Sequence, residues 1–202
     1  MLGAIHYGEI DYYHGIGHRG MPVRWNTSKE NGGSSLLSAG CHALDALLLC
    51  MDGEVKSVTS AATFSKNETF AQYEYPTTSV TILQFEDGRL GKVASVIDCL
   101  QPYYFHTHLV GSEGTLLDNK LFSTKVEGLK KEWSTLSFPL CDSGDVADHP
   151  YQAQFEAFFE AIESGKEMPR TSLGDAFRTF EVLFAADKSA AENRPVAIAE
   201  MR

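Results

Sequence analysis

Apolar residues recur along this chain with two different periods, and the changes of period divide it. Between residues 34 and 51, Leu36, Leu37, Cys41, Leu44, Leu47, Leu48 and Met51 fall at spacings of three and four. That spacing predicts an amphipathic helix, with Ser34 placed to cap its start and Gly53 just past its end. Ahead of it, residues 4–13 are rich in Ile and Tyr and predict a strand, and residues 14–33, with five glycines and Pro22, predict a loop. After it the period falls to two, predicting strands over residues 54–65, 77–86, 89–100 and 103–112, with Asp87 and Gly88 as a hairpin turn. Their short connections favour antiparallel pairing of neighbours. Two or three shorter strands are expected through residues 114–121 and 132–138, then a polar loop over 141–149. The helical period returns in Phe155, Phe158, Phe159 and Ile162 and repeats in Leu173, Phe177, Phe180, Leu183 and Phe184, predicting two helices split near residues 165–169. The expected fold is α+β, one domain over residues 1–202, with an open, predominantly antiparallel sheet and helices on one face.

Two of the strands are apolar on both sides. Val80 and Ile82 point one way and Leu83 and Phe85 the other; Val93 and Ile97 oppose Ala94 and Val96. Helices on one face leave the second to be covered, and a two-fold pairing of open sheet faces, giving a homodimer or a dimer of dimers, would do so.

Charge and composition narrow the classes. Seventeen Lys and Arg against 27 Asp and Glu leave a net charge of −10, which argues against nucleic acid as the main partner. With 43% hydrophobic and 11% aromatic residues the chain can bury a core, and neither disorder nor a disulfide scaffold is expected. Cys41, Cys50, Cys99 and Cys141 form no C-x-x-C pair, which reads as reduced thiols in a cytoplasm. The start lacks a basic segment followed by an apolar one, and the longest strictly apolar run is residues 46–51, so no membrane segment is expected. A length of 202 residues is short for a dehydrogenase carrying both a dinucleotide domain and a substrate domain.

Three constellations could carry chemistry. Gly15, Gly17 and Gly20 spell G-x-G-x-x-G just after a strand, but no helical period opens until Ser34, so a plain glycine-rich loop is the better reading. Ser38, His42 and Asp45 lie at i, i+4 and i+7, one polar stripe on an otherwise apolar helix. A histidine with a carboxylate one turn away suits general acid/base work, and equally suits a structural hydrogen bond. His106 and His108 project to one face of a strand, as strand-borne metal pairs do, with His14, His18 and His149 as conceivable third ligands. No acidic or cysteine partner lies at a telling distance in the sequence, so no metal site is expected. Neither a G-x-S-x-G elbow nor a P-loop occurs.

Taken with its flanks, the helix resembles a known family. Trp25, Gly32, Gly33, Leu36, Gly40, His42 and Asp45, followed by Gly53, Val55 and Val58, resemble the segment W…GG…L-x-x-x-G-x-H-x-x-D…G-x-V-x-x-V of the Gfo/Idh/MocA family, the NAD(P)-dependent sugar and cyclitol dehydrogenases. Further matches keep the family's order. Gly111, Gly114 and Leu116 resemble its G-x-x-G-x-L turn, Phe158, Ala161 and Ile162 its F-x-x-A-I helix, and Ala186, Ser189 and Val196 its closing segment.

The resemblance implies the family's C-terminal domain, whose open sheet supplies the substrate site and usually the subunit interface. The N-terminal Rossmann domain, which binds NAD or NADP, and its E-K-P segment have no counterpart here; Met1 falls at the first sheet strand. By the same resemblance His42 is the acid/base that takes the substrate hydroxyl's proton, Trp25, Ser38 and Asp45 are the substrate-binding residues for a sugar or polyol, and Asp45 is a supporting residue, structural more than catalytic. Ser38 stands where many members carry an aspartate, and a serine holds no charge. Two rivals follow: a non-catalytic module binding a carbohydrate or a partner, and a metal-dependent enzyme using His106 and His108.

Overall fold

The computed structural model describes residues 1–16, 24–129, 131–137, 149, 151–169 and 171–202. In chain order these form β1 (Ile5–Tyr13), α1 (Arg24–Thr27), α2 (Lys29–Gly32), a π-helical turn (Leu36–Gly40), α3 (Cys41–Met51), β2 (Val55–Thr63), β3 (Thr78–Phe85), β4 (Leu90–Val96), β5 (Tyr104–Gly111), β6 (Gly114–Leu117), β7 (Lys120–Ser123), β8 (Ser134–Thr135), α4 (Tyr151–Ser164), α5 (Leu173–Glu192) and β9 (Val196–Ala197). The strands make one open sheet in the order β8-β7-β6-β5-β1-β4-β3-β2-β9. The α+β class and the mostly antiparallel sheet agree with the sequence pattern.

Three local features depart from it. First, β4 and β5 are neighbours in sequence but do not pair, because β1 lies between them, parallel to β4 and antiparallel to β5. Residues 97–103 need cross only about 10 Å, two inter-strand spacings, so the connection is long enough to skip a strand. Second, the glycine-rich stretch 14–33 carries two short helices. Ser28 accepts the Asn31 N–H and the Glu74 carboxylate accepts the Lys29 N–H at 2.8 Å, so the first turn of α2 is capped twice. Third, the long helix opens in a π-helical turn before α3 proper. Ser34 accepts the Leu37 N–H at 3.0 Å, as its capping position suggested.

The core lies between the sheet and the inner faces of α3 and α5. Leu44 and Leu47 of α3, Leu83 and Val93 of the sheet, Ile97 just past β4 and Leu183 of α5 are each at most 1% exposed. Each contributes roughly 1.5–3 kcal/mol by leaving water. The close approach of α3 needs glycine beneath it: a Cβ on Gly8 would lie 2.5 Å from Met51 Sδ, and one on Gly40 would lie 2.3 Å from Ser95 Oγ. Arg89 closes the far end of the helix, donating to the carbonyls of Met51 and Asp52, where a cation also suits the helix dipole. One helical run, residues 29–51, is long and apolar enough by composition to cross a membrane, but its Leu36, Leu44 and Leu47 are core residues. The opposite sheet face is open, with Val80 41% and Ile82 52% exposed.

Candidate functional site

Ser38, His42 and Asp45 emerge on the outward side of the helix, all three exposed, while Ala39, Ala43, Leu44 and Leu47 turn inward. The Ser38 hydroxyl is tied inward: it lies 2.8 Å from the Gly32 carbonyl and 2.8 Å from Tyr75 Oη, which itself donates to the Asn26 carbonyl at 2.7 Å. Two hydroxyl protons cannot fill three contacts, so no more than two of them carry an undivided hydrogen bond at once. Burial pushes the Tyr75 hydroxyl up, with the Ser38 contact working the other way. This small network fastens the segment holding α1 and α2 to the start of the helix. Trp25, in α1, is 65% exposed beside that anchor.

His42 does not pair with Asp45. The Asp45 carboxylate accepts from Thr179 Oγ1 at 2.7 Å, locking α3 to α5. The His42 ring instead tilts against Tyr12 at 6.3 Å between centroids. Tyr12 gathers His14, whose Nδ1 is 3.0 Å from the Tyr12 hydroxyl, along with Tyr103 and Phe105. The sequence offered no sign of this aromatic group. Tyr12, Tyr103 and Phe105 meet only because β1 inserts beside β5.

The histidine pair lies on the open sheet face. His106 and His108 sit opposite Asp11 and Glu9 of β1, so the acidic partner missing from the sequence reading is supplied across strands. Glu9 Oε1 is 3.9 Å from His106 Nε2 and 2.7 Å from Lys92 Nζ, and its other oxygen accepts from Tyr7 at 2.9 Å. Burial alone would raise Glu9, but the hydrogen bonds from Lys92 and Tyr7 hold it below the usual carboxylate range. Burial, then the bond to Glu9, pushes the Tyr7 hydroxyl up to about 12. Asp11, 1% exposed, accepts from Lys92 and from the Ala94 N–H, each at 2.7 Å. Of the conceivable third ligands, His14 is engaged with Tyr12, His149 stacks on Tyr151, and His18 lies outside the described residues.

A cavity of about 490 Å³ opens between α3 and α5, lined by Asp45, Leu48, Asp52, Arg178, Thr179 and Arg202, and it does not reach His42. For a dinucleotide the described residues do not fit. Among the described residues, Gly15 beyond β1 is bridged to Asp98 and the next helix, α1, has four residues. Gly17 and Gly20 of the glycine motif lie outside the described residues, as does Cys141.

Comparison with known proteins supplies the rest. Among solved structures, a levoglucosan dehydrogenase in complex with NADH and levoglucosan superposes with a TM-score of 0.78 at 18% identity, over 98% of this chain and 59% of its own. An NAD binding oxidoreductase from Klebsiella pneumoniae gives 0.77 at 18% identity, over 98% and 59%. GenD2 from gentamicin A biosynthesis, in complex with NAD, gives 0.71 at 21% identity, over 97% and 56%. At such identities these establish a shared fold, and this chain spans under three-fifths of each of their lengths. No curated protein matches at the level of sequence. The GFO/IDH/MocA C-terminal domain model does match, over residues 1–117. That is more than half of the 202 residues and includes β1, the His42 helix and the sheet through β6; the chain belongs to the GFO/IDH/MocA family, as its C-terminal domain.

Proposed function

We propose that this chain is the substrate side of an NAD(P)-dependent sugar or polyol dehydrogenase, a cytoplasmic protein whose dinucleotide is bound by a domain outside these 202 residues. The observation that carries this reading is His42. It is exposed at the start of α3, backed by Tyr12, on the helix that bears the family's G-x-H-x-x-D spacing. Its imidazole takes the proton of a substrate hydroxyl as the carbon bearing it is oxidised. The dinucleotide, when bound by its own domain, serves as hydride acceptor. Trp25 offers an exposed indole to the apolar face of a sugar ring. Ser38 holds the Trp25 segment in place through Gly32 and Tyr75 and reaches substrate only with its remaining lone pair. Asp45 acts through Thr179, as a brace. Relatives of the same fold that carry NADH with levoglucosan, or NAD, support the substrate class and the cofactor.

Alone, the chain is expected to be inactive and to pair through the open sheet face, where Val80, Ile82 and Leu90 stand 41–52% exposed. A second reading, a carbohydrate- or partner-binding module without catalysis, is favoured by one observation: the residue in place of the usual aspartate is a serine whose hydroxyl is already engaged. The test that separates them joins the chain to a dinucleotide-binding domain. His42→Asn should then lower kcat by about 10²–10⁴-fold with KM and melting unchanged. An unaltered kcat would make His42 structural and leave the binding module.

A further inference from the structure

We propose that Glu9, His106 and His108 form a zinc(II) site on the open face of the sheet. One ligand atom from each lies within 4.8 Å of the other two. A tetrahedral zinc ion holds nitrogen and oxygen ligands at about 2.0–2.2 Å, hence about 3.3 Å from one another, so closure asks each side chain to move by about an ångström. Adjacent strands supply the set: Glu9 faces His108 in the β1–β5 register and His106 is two residues away on the same side. Two imidazoles and one carboxylate are a donor set that zinc accepts, with a fourth position left open.

The surroundings orient the set. His106 Nδ1 lies 3.1 Å from the Asp118 carboxylate, which fixes the proton on that nitrogen and leaves the Nε2 lone pair toward Glu9. A carboxylate behind a histidine ligand is the usual outer support of a zinc site. Asp118 is itself held by the Thr107 N–H at 3.0 Å and by Tyr104 Oη at 2.7 Å, in a turn where its φ is 52°. Tyr7 steadies the other Glu9 oxygen. Against binding stands Lys92, whose ammonium occupies Glu9 Oε1. It has a second carboxylate, Asp11, at the same 2.7 Å, so zinc can take Glu9 while Lys92 remains paired. The site would stand whether or not the chain is catalytic, since it shares no residue with the His42 region.

Cobalt(II), an optical stand-in for zinc, titrated into the full 202-residue chain should saturate at one ion per chain with visible d–d bands and no thiolate charge-transfer band, and zinc should displace it. Imidazole nitrogen resonances of His106 and His108 should shift with zinc while those of His42 and His6 stay in place. Glu9→Gln and His106→Gln should each lower affinity at least tenfold, and Asp118→Asn tenfold to a hundredfold. If a variant does not fold, the imidazole spectrum of the unaltered chain decides alone. A thiolate band, a shift confined to other histidines, no uptake at micromolar metal, or unchanged affinity in folded His106→Gln would overturn the site.

Discussion

In α3, Leu44 and Leu47 are wholly buried and Met51 is 2% exposed, while in α4 Phe155, Phe158, Phe159 and Ile162, set at the same helical spacing, are 46–59% exposed. The outer side of α5 resembles α4, with Phe177, Phe180 and Phe184 exposed although Val182 and Leu183 of the same helix are core. Periodicity tells which side of a helix avoids water. It does not tell what covers that side. For α3 the cover is the sheet, brought close by Gly8 and Gly40. For α4 nothing among the described residues serves.

The comparison can be broken most sharply by truncation. Leu44→Ala should cost about 2–5 kcal/mol in urea unfolding of the isolated chain, whereas Phe158→Ala should cost no more than about 0.5 kcal/mol. Equal losses would mean that α4 is buried in solution by this chain itself. The open sheet face gives the next largest effect. Light scattering at micromolar concentration should report about twice 22.2 kDa or a multiple of that dimer, and Ile82→Glu should reduce it to the single-chain mass. A monomer from the outset would end the pairing proposal.

Smaller effects sharpen the contrast between the anchored and unanchored parts of α5. Thr179→Val removes the bond to Asp45 and should cost about 1–2 kcal/mol. Ser172→Ala should cost about 1 kcal/mol, since Ser172 and Asp175 form a capping box at the helix start. Hydrogen bonds from Ser172, then the ion pair with Arg178, hold the Asp175 carboxyl below its ordinary value. Because its folded value is the lower one, this support is complete above the ordinary carboxylate range and fades as pH falls through the depressed value. Protection factors at the first turn of α5, taken after the intrinsic pH dependence of amide exchange is divided out, should therefore fall on acidification, and Asp175→Asn should flatten that fall.

Local rules made the strands and long helices legible: the Leu36 to Met51 spacing, the Asp87-Gly88 turn and the alternation of Ile82 and Leu83 each depend on neighbours in sequence. Features made by long-range register were not. Nothing near β1 announces that it will part β4 from β5, so the meeting of Tyr12 with Tyr103 and of Glu9 with His108 could not be read in advance. The His42 stripe was visible because helical spacing is local. The partner of Asp45 was not, since Thr179 lies 134 residues away.

The division of labour itself, substrate side in this chain and cofactor side elsewhere, is tested most directly by calorimetric titration of the isolated 202 residues with NADH and NADPH. Neither should bind tighter than about millimolar, because no helix start among the described residues cradles a pyrophosphate. Micromolar affinity for either dinucleotide would contradict the account and return attention to the G-x-G-x-x-G motif of Gly15, Gly17 and Gly20.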